Sequence, residues 1–470
     1  MSETSTPTLA LSSGGAAKKS TIAAWAFWDW GTQPFFTVVT TFVFAVYITG
    51  DAFAVGGDLN GPTQALSLTT TLAGLFIAVC APVIGQRADR SGTTVRQLKY
   101  LTWGMGLLTM ALYFVAPKPE YLWLGLGIFA VGSVIAEIAG VNYNSLLDRV
   151  AGESNVGKIS GLGWGMGYFG GIVSLLLIYA LFIAPEVGLF GVTGADGMDI
   201  RVSMVVCGIW ILVFTIPIFV AIKDKPADPT IPHLGVIGSY KQLFRTIAQL
   251  WRTQRHTAYF LLASALYRDG LAAVFSFGAV VGAQSFGFSS GEILIFGAAA
   301  NLIAGAVTML FGYLDDRIGP KSVILICLGL LVVGAFTCFA LHQPGYSLRE
   351  GMPGFDPAIS AQGKAIFWVL GLLLASVCGP AQAASRSFLA RIIPEGHSGE
   401  IFGLYTTTGR VISFISPALF GIFVTLGATI TGSNSTQHWG LLAIGLVLAA
   451  GFLVLLPVKS KPEIYRKGEE

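Results

Sequence analysis

Apolar residues run along this chain in long stretches that are separated by short polar segments. A helix needs about 20 apolar residues to cross the hydrocarbon layer of a bilayer, and windows of that length predict two sets of six membrane-spanning helices. The first set covers 21–48, 62–84, 97–116, 121–145, 157–184 and 201–222. The second set covers 256–284, 289–313, 320–341, 363–390, 399–428 and 437–457.

The polar segments divide the chain around these two sets. Residues 1–20 are rich in Ser, Thr and Ala and precede an apolar run without a cleavage site, which predicts a disordered cytoplasmic tail and an uncleaved first span. The longest polar connection, residues 223–255, predicts a linker between an N-terminal bundle at 21–222 and a C-terminal bundle at 256–457. Residues 458–470 are predicted to form a second cytoplasmic tail.

Composition excludes a soluble globular protein. Hydrophobic residues make up 54% of the chain and charged residues 11%, whereas soluble domains carry about 25% charged residues. The five cysteines all lie in apolar stretches, which indicates small buried hydrophobes and not a disulfide framework or a metal site. The net charge of +3 comes from scattered basic residues and does not indicate a nucleic-acid partner.

The basic residues predict the orientation in the membrane. An even number of spans places both termini on one side, and cytoplasmic loops carry an excess of Lys and Arg. Most of the 28 basic residues fall in the tails and loops of the side that carries the termini, so we expect both termini to be cytoplasmic. These residues include Lys18, Lys19, Arg87, Arg90, Arg96, Lys99, Arg149, Lys158, Arg317, Lys321, Arg386 and Arg391, with those of the linker and the C-terminal tail.

A motif of the form Gly-x-x-x-Asp-Arg-x-Gly occurs twice, after the second span and after the eighth. Its glycines allow a tight turn, so each copy is predicted to form a short cytoplasmic loop. We expect the Asp to dock on the positive N-terminus of a neighbouring helix and the Arg to pair with a carboxylate across the bundle interface. Such a latch would stabilise one transport state. The motif residues are Gly85, Asp89, Arg90 and Gly92 in the first copy and Gly312, Asp316, Arg317 and Gly319 in the second.

Two further landmarks repeat in the same order. Asp29 in the first span matches Asp269 in the seventh, and Arg149 matches Arg391, which adds both arginines to the candidate gating residues. Parallel six-helix repeats are typical of transporters whose substrate site lies between the halves. The sequence therefore predicts an all-α, major-facilitator-type fold of twelve helices in two pseudo-symmetric six-helix bundles.

Few ionisable side chains lie inside the predicted spans. Each is costly in the membrane and is therefore a candidate for function; these are Asp29, Glu137, Asp269 and Arg410. Neighbours on the same helix faces extend the candidate site, although interhelical hydrogen bonding without substrate contact is an alternative for Asn144 and the threonines. The neighbours are Gln33 and Asn144, with Thr37, Arg268, Thr406 and Gln382 as supporting residues.

The residue types present in the spans limit which side chains could bind a coupling ion. No His lies in the middle of a predicted span, so the candidates for binding H⁺ are the desolvated carboxylates of Asp29, Glu137 and Asp269. The same oxygen atoms could bind Na⁺ instead. We expect one of Asp29 and Asp269 to bind substrate and the other to couple. The sequence has no metal-ligand spacing, Walker loop or Gly-x-Ser-x-Gly elbow, so we expect no metal, no other cofactor and no enzymatic activity.

Two parts of the chain resemble the vacuole-effluxer-like family of the major facilitator superfamily. Residues 26–30 (Ala-Phe-Trp-Asp-Trp) resemble its first-span motif, and residues 380–394 with 400–405 resemble its segment from the tenth to the eleventh span. The resemblance implies a facilitator-type transporter and a small zwitterion, such as an amino acid, as substrate. Residues 31–34 depart from the family's Ala-Asn-Ser-Ala and read Gly-Thr-Gln-Pro.

We therefore expect a secondary active transporter that exports a small solute by alternating access, as a monomer in the lipid bilayer of a bacterial inner membrane. Arg410 could hold a carboxylate group, and Asp29 or Asp269 an ammonium group. The aromatic residues around Asp29 leave an exporter of amphiphilic drugs or lipids as an alternative. A non-transporting receptor or scaffold of the same fold is another alternative, but it has no evident need for charges inside its spans.

Overall fold

The computed structural model describes residues 17–54, 61–225, 235–286, 288, 290–340, 361–393, 397–432 and 436–459. Within these ranges the regular elements are all helical. The first bundle contains α1 (Lys19–Ile48), α2 (Gly61–Ser91), α3 (Thr94–Ala111), α4 (Leu122–Ser145), α5 (Val156–Ile178) and α6 (Met198–Phe214). The linker contains α7 (Val236–Thr253), and the second bundle contains α8 (Arg255–Phe286), α9 (Ser290–Ile318), α10 (Pro320–Ala340), α11 (Ala361–Ile392), α12 (Ser398–Thr431) and α13 (Trp439–Leu455).

All twelve predicted spans coincide with helices. In the part of the chain that the structure describes, ten helical segments are long and apolar enough to cross a membrane. The helix α13 is a shorter apolar helix, and α3 completes the set of twelve. The helices α2 and α9 run past the ends predicted at 84 and 313. The linker helix α7 was not predicted, because the segment was interpreted only as a polar connection.

Two helices change geometry partway. In α1, Pro34 ends the regular α-helix and Phe35–Phe42 continues with π-helical hydrogen bonding. Proline removes a donor and crowds the preceding turn, and π-helical turns are frequent at functional sites. In α12 the helix breaks after Ile412 and resumes at Ile415. This break creates a new helix N-terminus inside the second bundle.

The even number of spans places the start of α1 and the end of α13 on the same side, which we call the termini side. Two contacts agree with this arrangement, since the Lys321 ammonium group donates to the carbonyl of Leu456 and the backbone of Lys459 donates to His256. The bundles pack against each other along two helix pairs, α5 with α9 and α2 with α12. We call this contact region the seam.

Glycines allow the close approach at the seam. A Cβ atom on Gly161 of α5 would lie 2.7 Å from the carbonyl oxygen of Thr308 in α9. On the other helix pair, a Cβ atom on Gly403 of α12 would collide with the backbone of Pro82 in α2. Small residues allow backbones to approach in this way, so backbone contact between the bundles brings the polar side chains beside it within reach of each other.

Candidate functional site

Arg386 of α11 lies in the seam and is only 4% exposed. Its Nη1 donates to Asn144 Oδ1 at 3.1 Å and lies 3.5 Å from Asp29 Oδ2. Its Nε donates to the hydroxyl of Ser160 at 3.0 Å, and its Nη2 donates to the backbone carbonyl of Ser160 at 2.7 Å. A cation of the C-terminal bundle is therefore held by oxygen atoms of three residues in the N-terminal bundle.

Aromatic side chains surround this ion pair. The Tyr143 hydroxyl donates to Asp29 Oδ2 at 2.8 Å, and Trp25 and Trp28 stack on the two sides of the Tyr143 ring with centroids 4.5 and 4.1 Å away. The Arg386 guanidinium also lies 4.9 Å from the Trp25 ring centroid, within cation–π range. Because these rings exclude water, the attraction between the two charges is stronger than at the protein surface.

The prediction that Arg386 is a loop residue is wrong. Its helix continues to Ile392, so Arg386 is inside α11 and faces the other bundle. The predicted span 363–390 already contained this position, so an arginine within a span was a detectable signal. Tyr143 and Ser160 were also missed; their types are common in packed helices and carry no separate signal.

A second ion pair also crosses the seam. Glu137 of α4 pairs with Arg410 of α12, and their side chains are 28% and 37% exposed. The two predicted in-span charges therefore meet each other in this structure. Because the pair is partly exposed, solvent weakens it more than it weakens the buried pair of Asp29 and Arg386.

Asp269 has different surroundings from its counterpart Asp29. It is 5% exposed and accepts a hydrogen bond of 2.7 Å from the backbone N–H of Ser416, at the helix N-terminus that the break in α12 creates. The neighbouring Arg268 donates to the carbonyl of Tyr405 at 2.9 Å and lies 3.9 Å from the centroid of that ring. Both contacts stay within the C-terminal bundle.

The remaining candidate residues line helix contacts. Gln33 and Thr37 of α1 point at glycines of α5: a Cβ atom on Gly167 would lie 2.9 Å from Gln33 Nε2, and one on Gly171 would lie 2.6 Å from Thr37 Oγ1. Thr406 is buried and Gln382 is partly buried. Of the predicted set, the structure joins Asn144 to Asp29 through Arg386, whereas Gln33 and Thr37 pack inside the first bundle.

The first copy of the repeated motif forms the expected contact. Asp89 Oδ2 accepts hydrogen bonds from the backbone N–H groups of Gly399 at 2.7 Å and Glu400 at 3.1 Å, at the N-terminus of α12. The Glu400 carboxylate, which is buried, accepts a bond from Gln86 at 2.9 Å and lies 3.2 Å from Nδ1 of His397. The carboxylate of one bundle thus caps a helix of the other, as predicted.

The second copy repeats this docking on the other helix pair. Asp316 accepts hydrogen bonds from the backbone N–H groups of Gly157 at 2.8 Å and Lys158 at 2.9 Å, at the N-terminus of α5. Arg391 pairs with Asp316 at 2.9 Å and with the buried Asp315 at 3.1 Å. We call the Asp89 and Asp316 contacts the two latches.

The arginine of the second motif copy does not form the predicted ion pair. Arg317 is exposed, and among the residues that the structure describes it forms no ion pair. Asp316 is instead paired with Arg391, which belongs to the same bundle, so this ion pair does not cross the seam. Its sequence match, Arg149, donates to the backbone carbonyl of Lys223 at 3.2 Å, so the repeated arginines differ in their contacts.

The prediction that both motif segments form loops is wrong. Their glycines have two different roles. The helices α2 and α9 continue through the motif, and only Gly92 and Gly319 form the turns, with φ of 63° and 86°. Gly85 instead permits close approach, because a Cβ atom there would collide with the carbonyl oxygen of Gly399. Gly312 has the same role, with the carbonyl oxygen of Gly157 only 2.8 Å from the position of its Cβ.

The polar contacts between bundles described above share one location. Both latches, the pair of Asp29 and Arg386 and the pair of Glu137 and Arg410 use residues on the termini side of the middle of their helices. A further contact, from the Thr407 hydroxyl to the carbonyl of Ala78, has the same location. The bundles are therefore closed against each other on the termini side. Among the described residues no group of three or more His, Cys, Asp or Glu could hold a metal ion.

Comparison with solved structures identifies the fold. The chain superposes on the major facilitator proton:xylose symporter XylE, in a structure bound to 6-bromo-6-deoxy-D-glucose, with a TM-score of 0.69 and 13% identity over 96% of this chain and 98% of that one. A bacterial homologue of the iron transporter ferroportin, in an outward-facing state, gives a TM-score of 0.63 with 15% identity over 94% and 99% of the chains. These similarities show the major facilitator fold.

Sequence relatives agree with the fold. An uncharacterized MFS-type transporter of Bacillus subtilis (strain 168), YxiO, is 26% identical over 430 residues, which cover 91% of this chain and 93% of that protein. Autophagy-related protein 22-1 of Neosartorya fischeri is 28% identical over 283 residues, which cover 56% of this chain and 43% of the fungal protein. The family described as vacuole effluxer Atg22 like matches residues 17–463, and this multi-pass membrane protein therefore belongs to that family of major facilitator transporters.

Proposed function

We propose that this protein is an ion-coupled secondary transporter that exports a small zwitterion, with an amino acid as the leading candidate. The observation that carries the proposal is the buried pair of Asp29 and Arg386, whose charges belong to different bundles. Transport by alternating access requires the bundles to separate on the side where they are now closed. The same movement would pull these two charges apart.

Separation has a physical consequence for Asp29. An uncompensated carboxylate in a water-poor interior is costly, and breaking a buried pair costs about 3–5 kcal/mol. A proton, a sodium ion or an ammonium group could neutralise Asp29 once Arg386 has moved away. On opening, Asp29 would exchange the coupling ion for the substrate on the termini side, and closure with Arg386 beside Asp29 would release the substrate on the other side. We propose H⁺ as the coupling ion, with Na⁺ as the alternative.

The same pair supports a zwitterion as substrate. Asp29 and Arg386 offer opposite charges on facing bundles, so an amino acid could bridge them with its ammonium group on Asp29 and its carboxylate on Arg386. The family description as an effluxer supports export. The aromatic residues Trp25 and Trp28 are buried in the packing around Tyr143, so they do not favour a site for amphiphilic drugs or lipids.

The proposal includes a location in the cell. We place the protein in a bacterial inner membrane as a monomer, with both termini cytoplasmic, because the basic residues concentrate on the termini side. The export direction then means that substrate enters from the termini side after the latches open. No cofactor beyond the coupling ion is part of this proposal.

The test is transport in proteoliposomes that contain the full chain. A panel of radiolabelled amino acids and lipophilic cations is compared under an imposed proton gradient, an imposed sodium gradient and no gradient. We expect amino-acid accumulation that depends on one gradient. Asp29→Asn should lose this accumulation and also weaken counterflow exchange, because this carboxylate is proposed both to couple and to hold the ammonium group of the substrate.

Asp51→Asn is the matched control, since Asp51 is an exposed carboxylate beyond the other end of α1. It should transport like the unmodified protein. Accumulation of lipophilic cations alone would overturn the substrate assignment. Unchanged gradient-driven accumulation in Asp29→Asn would overturn the coupling role of this carboxylate.

A further inference from the structure

The linker helix α7 has two distinct faces. Ser239, Leu243 and Leu250 are at most 6% exposed, and with Thr246 they follow the helical spacing of one face. The helix packs with this face toward α2 and α8. Residues on the opposite face are exposed, so α7 is anchored along one side and open along the other.

The exposed face is itself divided. Ile237, Phe244 and Trp251 recur every seven residues and are 86%, 68% and 48% exposed. At about 100° per residue, these three fall on one flank of the exposed face. Exposed basic residues occupy the other flank, and these are Lys241, Arg245 and Arg252.

This division fits a helix that lies in the boundary between lipid and water. An interfacial helix buries one apolar flank among the acyl chains and presents basic side chains to the headgroups. The chain enters α7 from the end of α6 and leaves into α8, so α7 lies where the membrane helices end on the termini side. The adjoining surface of α2 is apolar and exposed at Phe76 and Val79, and the Tyr240 hydroxyl donates to the carbonyl of Val79. The apolar flank of α7 therefore continues a lipid-facing surface.

The anchored face also touches the first latch. The Thr246 side chain lies beside the Glu400 carboxylate, and the backbone N–H of Glu400 donates to Asp89. Holding α7 against the membrane surface would therefore hold Thr246 against the N-terminus of α12. Release of α7 would remove one contact that keeps this latch closed.

We propose that α7 binds the anionic phospholipid surface of the termini-side leaflet and thereby stabilises the closed Asp89 latch. Each basic residue near an anionic leaflet contributes electrostatic attraction, and the three residues together correspond to about a hundredfold change in the equilibrium between bound and released helix. The neutral lipid surface supplies only the apolar part of the binding. Lipid charge thus becomes a regulator of the transport cycle.

The experiment is hydrogen–deuterium exchange of the full protein in nanodiscs of phosphatidylcholine, with or without phosphatidylglycerol. We expect the anionic lipid to slow exchange in α7 by up to about a hundredfold and to slow exchange of the Gly399 and Glu400 amides. The triple variant K241Q/R245Q/R252Q should lose this response. The matched control R96Q/K223Q/K225Q removes the same charge from exposed positions on the same side and should keep it.

A further variant separates lipid binding from the latch. Thr246→Val should leave the lipid response of α7 intact while removing that of the Gly399 and Glu400 amides. Equal exchange of α7 in neutral and anionic nanodiscs, or equal responses of the two triple variants, would overturn the lipid site. Unchanged latch amides alongside a protected α7 would overturn the link to the latch.

Discussion

Asp29 and Asp269 hold equivalent positions in the two repeats, yet they make different kinds of contact. Asp29 reaches across the seam to Arg386 of the other bundle. Asp269 caps a broken helix of its own bundle through the backbone of Ser416. A contact across the seam changes when the bundles separate, whereas one within a bundle can persist. Under the proposed function, the contact that changes during the transport cycle is therefore that of Asp29.

The two latches show the opposite outcome, since equivalent residues keep an equivalent task. Asp89 docks on the N-terminus of α12 and Asp316 on that of α5, each across the seam. They differ in their counter-ions, because Arg391 pairs with Asp316. Capping by a carboxylate is kept in both halves because it needs only the N-terminus of a helix, which the repeated backbone supplies. Side-chain ion pairs depend on partners that the two halves do not share.

The largest expected effect concerns the buried ion pair. Arg386→Gln should destabilise the protein by at most about 3–5 kcal/mol, because Asp29, whose side chain is only 15% exposed, is left without a cation. Arg410→Gln is the control at the partly exposed pair and should cost about 0–1 kcal/mol. Thermal unfolding of both variants in the same detergent measures the difference. A double variant that adds Asp29→Asn should recover part of the loss, and equal effects of the two arginine variants would contradict the distinction.

The latches come next in size. Asp89→Asn and Asp316→Asn each remove a negative charge from a helix N-terminus, which is worth about 0.5–2 kcal/mol. The Asp316 change should be larger because it also breaks the contact with Arg391. Both should shift the protein toward opening on the termini side. Spin-label distances between Ser154 and Arg255, exposed residues on the termini side of the two bundles, report this opening.

Equal distance distributions for Asp89→Asn and the unmodified protein would show that the first latch does not hold the closed state. A larger shift for Asp89→Asn than for Asp316→Asn would show that the pairing with Arg391 adds nothing to the second latch.

The third prediction tests whether Asp269 acts only within its own bundle. Asp269→Ala should lower stability by about 1 kcal/mol, since the N–H of Ser416 loses its cap. Asp269→Asn keeps an acceptor oxygen and loses only the charge, so it should cost less than Asp269→Ala. Thermal unfolding measures both changes. Gradient-driven transport should persist in Asp269→Asn and fail in Asp29→Asn; failure in both would show that the two acids act together.

The smallest effect is a pH dependence of the first latch. The hydrogen bond to the Glu400 carboxylate raises the pKa of His397 above its usual value, and Asp89 acts in the same direction while Arg90 opposes it. The resulting stabilisation is fully present below the ordinary value of about 6.5 and is lost as pH rises through the raised value. The spin-label distances should therefore report more opening at alkaline pH. His397→Gln should remove this dependence, and an unchanged pH profile would exclude His397 as its source.

The helix α7 shows what averaging hydropathy over a window of residues cannot detect. Averaging over about 20 residues detects helices that are apolar on all sides, but α7 interleaves Lys241, Phe244 and Arg245 within five positions. Its apolar residues follow a period that is visible only when the faces are separated. The same averaging placed Arg386 at the end of a span without showing which way it points.

The sequence alone determined the twelve spans, the two repeats, the shared side of the termini and the docking of Asp89 and Asp316. The spans follow from the length of each apolar segment compared with the fixed thickness of the bilayer, and the docking follows from the partial positive charge of a helix N-terminus. Both are local properties of the chain. Only the tertiary structure decided that Asp29 meets Arg386, 357 positions away in the chain, and that Asp269 stays within its bundle. Such pairing depends on the rotation and register of packed helices, which the spacing within any one helix does not contain.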